Sequence, residues 1–113
     1  MLINGTFFTG LYEKDWETFE VPEEEMRVAF AEALKELRKF NEYTLKQVSN
    51  GTEIPLQTVA RYESGENTPS VIQAFKLAYF YNIDIQDMFL LGYISEESRE
   101  KFFSEHYKKP SHK

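Results

Sequence analysis

The chain has no cysteine, one tryptophan, two histidines and four prolines in 113 residues. Without thiols there are no disulfides and no thiolate metal sites, which fits a reducing compartment. No apolar run approaches the ~20 residues that cross a bilayer, and no basic stretch precedes an apolar one at the N-terminus as in a signal peptide. A cytoplasmic chain with no membrane partner is therefore expected. The histidines, His106 and His112, both stand near the C-terminus. There is no metal-ligand spacing, no glycine-rich phosphate loop and no nucleophile elbow, so neither catalytic residue, metal nor cofactor is expected. Basic charge is also scarce. Thirteen Lys and Arg face nineteen Asp and Glu, for a net charge of −6, whereas nucleic-acid binders are usually basic.

The distribution of that charge softens the objection. Residues 1–25 carry seven acidic side chains and one lysine, residues 26–82 seven basic and six acidic, and residues 83–113 five basic and six acidic. The acidity therefore lies mainly in an N-terminal arm, and the central segment is at +1. Apolar residues make up 42% of the chain, enough for the core of one domain, and 16% are aromatic, enough to place some rings at an interface.

The most informative stretch runs from Thr44 to Ser70. Thr44 is suited to cap a helix over Leu45 to Asn50, and Val48 then points inward. Ile54 plugs a turn, and Pro55 stands where a missing N–H costs nothing. Val59 and Tyr62, three apart, face the core of a helix over Leu56 to Ser64. Gly65 supplies a left-handed stop, and Asn67-Thr68-Pro69-Ser70 forms a loop ending on a cap for the next helix. This is the layout of a helix-turn-helix, whose second helix enters the major groove of DNA. Gln57 and Arg61, four apart, share the outer face of that helix. Gln pairs with adenine and Arg with guanine through two hydrogen bonds each, and Thr58 is within reach of a base or a phosphate.

The remaining elements follow from periodicity and caps. A first long helix is expected from Pro22 to about Asn41, with Met26, Phe30, Leu34 and Leu37 on one face. A fourth helix spans Val71 to Tyr81, with Val71, Phe75, Leu77, Ala78 and Phe80 in the core. A fifth spans Ile85 to Leu91, capped by Asp84, and a last one runs from Ser95 to about Tyr107. Thr6 to Tyr12 and Trp16 to Val21 form a candidate β-hairpin within the arm. Its rings (Phe7, Phe8, Tyr12, Trp16 and Phe19) pad the outside of the helical core or make a dimer contact, with a disordered arm as the third alternative. The resulting division is an arm over 1–21, a helix-turn-helix domain over 22–92 and a C-terminal helix with a basic tail over 93–113.

From about Phe30 to Gly92 the chain resembles the lambda/434 repressor and Cro type of helix-turn-helix, the XRE family. The resemblance rests on Leu37-Arg38, Thr44 to Val48, Thr58 to Gly65, Pro69-Ser70, Leu77-Ala78 and Asn82-Ile83-Asp84 together and in this order. It implies an all-α, five-helix fold with an extra C-terminal helix and a short arm. It implies base contacts from Leu56, Gln57, Thr58 and Arg61. Phosphate contacts are expected from Thr44, Lys46, Gln47, Asn67, Thr68 and Ser70. The resemblance also implies that Arg38 and Glu63 form a structural ion pair. Two residues depart from the family pattern. Glu66 stands where relatives usually carry Lys or Arg and would repel phosphate, and Glu53 replaces the usual turn glycine.

Two function classes follow. The first is a sequence-specific regulator of double-stranded DNA, a prokaryotic or phage repressor acting as a homodimer through Ile94, Phe102, Phe103 and Tyr107. The second is a protein-binding module on the same fold, antitoxin-like or anti-repressor, whose protein partner engages the arm. The exposed Gln57 and Arg61 favour the first; the acidic arm and Glu66 favour the second.

Overall fold

The computed structural model describes residues 22–111, which form six helices and no strand. The arm, with its candidate hairpin, lies outside the described residues.

Helix α1 (Glu23–Phe40) carries Glu23, Glu24 and Glu25 in its first turn and Arg38 and Lys39 in its last. Both sets complement the helix dipole. Its buried face runs through Ala29, Phe30, Ala33, Leu34 and Leu37, while Met26 is exposed, so the core begins one turn later than the periodicity suggests. Four short helices follow: α2 (Leu45–Thr52), α3 (Leu56–Ser64), α4 (Val71–Tyr81) and α5 (Ile85–Leu90). A single 3-10 turn over Leu91–Tyr93 leads to α6 (Glu96–Glu105). Helix α1 packs on α3, α5 and the 3-10 turn, and α2 packs on α3 and α4. Leu34, Leu37, Val48, Ile54, Leu77, Tyr81, Met88 and Leu91 are fully buried between them. None of the helices over the described residues is long and apolar enough to cross a membrane.

Two expectations are corrected. Val71 and Phe75 are exposed, not core. Helix α4 is apolar almost all round, so periodicity alone does not select its inward face. The core takes Ala74, Leu77, Ala78, Phe80 and Tyr81 instead. Asp84 does stand at the start of α5 in extended backbone, yet its side chain makes no capping hydrogen bond.

Close approach explains Gly92. A Cβ there would overlap the carbonyl of Ala29, so the 3-10 turn can lie on α1 only without a side chain at this position.

Helix α6 is fastened at three levels. Ser95 caps it, accepting from Ser98 N at 3.1 Å. Near its start, Arg99 donates to Gly92 O and Ile94 O and reaches Glu32 at 3.3 Å and Glu36 at 3.6 Å on α1. Further along, Phe103 is buried and stacks on Phe40 at 4.4 Å. Beyond its end, Tyr107 donates to Tyr81 O and accepts from Asn41 Nδ2.

Candidate nucleic-acid interface

The geometry of the Thr44–Ser70 segment begins with its caps. Thr44 Oγ1 accepts from Gln47 N at 3.1 Å, and Gln47 Oε1 accepts from Thr44 N at 2.8 Å. This reciprocal box satisfies two free donors at the start of α2. It also fixes both side chains on the surface and leaves the Gln47 amide nitrogen as a donor. Lys46 is exposed beside them.

The turn between α2 and α3 is built from side chains bonding to backbone. Thr52 Oγ1 donates to Val48 O at 2.7 Å, and Ser49 Oγ donates to Ile54 O at 2.6 Å. Ile54 is buried between the two helices. Glu53 itself takes the left-handed conformation, φ 62° and ψ 29°, at the position where a glycine would be unstrained. Pro55 stands at the N-cap, one residue before the first helical position.

Helix α3 buries Val59, Tyr62 and Glu63 and turns Leu56, Gln57, Arg61 and Ser64 outward, with Thr58 and Ala60 half-buried at the edges. Its far end is tied from three sides. Arg38 on α1 donates through Nε to both carboxylate oxygens of Glu63, at 2.8 and 3.0 Å, and through Nη1 to Tyr43 O at 3.1 Å. The bond to Glu63 raises the Arg38 guanidinium above its usual range, so Arg38 keeps its charge at any accessible pH. Arg27 on α1 donates to Gly65 O. The Tyr62 hydroxyl donates to Gln73 on α4. Gly65, at φ 83°, ends the helix. The outer face of α3 is thereby held rigidly against a packed scaffold. The ties through Arg27 and Gln73 were not apparent in the sequence, since neither residue belongs to a recognisable pattern.

The loop after Gly65 exposes Glu66, Asn67 and Thr68, and Ser70 caps α4 by accepting from Gln73 N at 3.2 Å. Glu66 Oε1 lies 4.0 Å from Arg61 Nε, and both side chains are largely exposed. The acidic departure in the loop therefore sits against the basic residue expected to read bases. Between Thr44 and Ser70 there are two basic and three acidic residues, with Glu63 already neutralised by Arg38. The surface that remains carries almost no net charge.

The residues expected at a dimer contact all pack against the chain's own core. Phe103 is buried in the chain's own core, Tyr107 is bound to Tyr81 and Asn41, and Ile94 and Phe102 are half-buried against the same cluster.

Residues 34–88 match the family model described as helix-turn-helix. Neither a curated protein nor a solved structure matches the chain. Taken with the capped α2, the left-handed turn at Glu53 and the outward-facing α3, this match identifies residues 34–88 as a helix-turn-helix domain of the XRE (lambda/434 repressor and Cro) type, a family of DNA-binding regulators.

Proposed function

We propose that the chain is a sequence-specific regulator of double-stranded DNA, a repressor of prokaryotic or phage type, that reads the major groove with α3. The observation that carries this reading is the outer face of α3, where Leu56, Gln57 and Arg61 project from a helix whose inner face is locked to α1 and α4. Leu56, Gln57, Thr58 and Arg61 contact bases, with Arg61 suited to guanine and Gln57 to adenine. Thr44, Lys46, Gln47, Asn67, Thr68 and Ser70 surround them at the N-terminus of α2 and around the start of α4, where free backbone N–H groups favour phosphate. The chain acts as a homodimer on two half-sites about one helical turn apart.

Selection from random duplexes at two salt concentrations tests this directly. The expected result is an enriched two-fold site, with Arg61→Ala losing about 1–3 kcal/mol and relaxing one base position per half-site. Equal affinity of parent and variant for the enriched site refutes the role of Arg61. Sedimentation of the parent at tens of micromolar tests the dimer.

The contact between Arg61 and Glu66 favours a second reading, a protein-binding module on the same fold. Failure to enrich any duplex at low salt would select it.

A further inference from the structure

Helix α4 presents an apolar stripe to solvent. Val71, Ile72, Phe75 and Tyr79 are 70%, 66%, 54% and 90% exposed, and they line one side of the helix at spacings of three and four. Together they leave on the order of 500 Å² of mostly apolar surface, the size of the largest patch on a typical monomer, which is often functional. Among the described residues nothing covers it.

Charge decides between two occupants. The stripe is flanked by Lys76 on α4, and α4 has no acidic residue. At the far end of the stripe, Tyr79 shares a pocket with Lys108 and Lys109 of the C-terminal tail, where Asp84 is the single acid. Pairing α4 with α4 of a second copy about a two-fold axis at Phe75 would bring the two Lys76 side chains together with no acid on either helix to offset them. Residues 1–21 have the opposite character. They carry Phe7, Phe8, Tyr12, Trp16 and Phe19 interleaved with Glu13, Asp15, Glu17 and Glu20, against a single Lys14. A second apolar groove lies beside Pro22, lined by Val28 and Tyr93, but Glu23, Glu24, Glu25 and Glu32 rim it against one cation, Arg99, which is already paired with Glu32 and Glu36, and the remaining carboxylates would repel this segment. Reach is no obstacle. Twenty-one residues span up to ~70 Å when extended, and the molecule's longest dimension is 45 Å.

We propose that residues 1–21 of the chain dock on the exposed face of its own α4, their rings on Val71, Ile72, Phe75 and Tyr79 and their carboxylates toward Lys76, Lys108 and Lys109. The tether keeps the segment at high local concentration, so modest contacts suffice. The proposal stands apart from the DNA reading, because it needs no nucleic acid.

Trp16 is the one tryptophan of the chain and reports on the docking. In the full-length protein its emission is expected to be blue-shifted and protected from acrylamide, and both properties should be independent of protein concentration. Phe75→Glu combined with Tyr79→Glu shifts the emission to that of a water-exposed indole and removes the protection. Val28→Glu, in the other groove, leaves both unchanged. Lys76→Glu weakens the protection, and Glu17→Lys with Glu20→Lys restores it in that background. Far-UV circular dichroism checks that each variant is folded, and if the double variant unfolds, the exposed-site Lys76→Glu pair decides. A water-exposed Trp16 in the parent overturns the proposal. So does a response to Val28→Glu in place of the α4 variants, or protection that disappears on dilution together with a sedimenting dimer.

Discussion

Replacing Arg38 by Met is expected to be the most damaging single change on the polar side of the fold. Glu63 keeps only 8% of its side chain exposed and Arg38 20%, with 2.8 Å between Nε and Oε2. Removing the cation leaves a carboxylate inside the protein with no countercharge. For fully buried pairs that costs about 3–5 kcal/mol, and some water access at Arg38 lowers the expectation to about 2–4. The hydrogen bond from Nη1 to Tyr43 O is lost as well, at about 0.5–1.5 kcal/mol. Removing both charges, as Arg38→Met with Glu63→Leu, should recover most of the loss, because desolvation of the pair offsets much of its attraction. Urea unfolding of the parent, both single variants and the double variant gives the coupling energy from one cycle, provided that the slopes agree. A loss below about 1 kcal/mol for Arg38→Met, or a double variant as unstable as the sum of the singles, would refute the argument.

The left-handed backbone at Glu53 implies that Glu53→Gly raises stability by about 0.5–1 kcal/mol; a lower thermal midpoint would show that the glutamate side chain holds the turn. If α3 reads DNA, Glu66→Lys should release Arg61 and steepen the salt dependence by about one unit of slope, and an unchanged slope would place this loop away from the phosphates. Gly92→Ala should cost about 1–3 kcal/mol or more by forcing the 3-10 turn off Ala29, and a near-neutral effect in chemical denaturation would contradict the packing. Burial, aided by the charge of Asp84 and opposed by His106, raises the Asp87 carboxyl above its usual 3.8. The folded state thus holds this proton more tightly than the unfolded state. The associated stability is present at low pH and is lost as pH rises through the window just above 3.8. Asp87→Asn should remove that decline, and thermal midpoints of parent and variant that run parallel across the window would count against it.

The caps made α2, α3 and α4 legible in the sequence. Thr44, Gly65 and Ser70 act locally, through bonds to backbone three or four residues away, so residue type and spacing suffice to place them. The inward face of α4 was not legible, because nearly every position on it is apolar and the choice is made by the neighbours. The same holds for Asp84, which occupies a cap position without making the bond. At the candidate interface, the outward direction of Gln57 and Arg61 follows from the buried Val59 and Tyr62, which share their helix. The approach of Glu66 to Arg61 depends on the path of the loop after Gly65, and the hold of Arg27 on Gly65 O depends on how α1 crosses α3. Neither leaves a periodic trace.

The attachment of α6 has a consequence for how the molecule opens. Of its ten residues only Phe103 is buried, with Phe102 half-buried beside it, and its other anchors are Arg99 and, just past its end, Tyr107, Lys108 and Lys109. A terminal segment that buries one side chain fully and is otherwise held by polar and edge contacts detaches as a unit at a free energy below that of global unfolding. Its amides should therefore exchange with deuterium ahead of those in α1 and α4. The detached form would uncover Phe103 and the covered part of Phe40 while the remaining helices stay packed. At high concentration, on heating or during synthesis, that partly open species rather than the unfolded chain would be the one that self-associates.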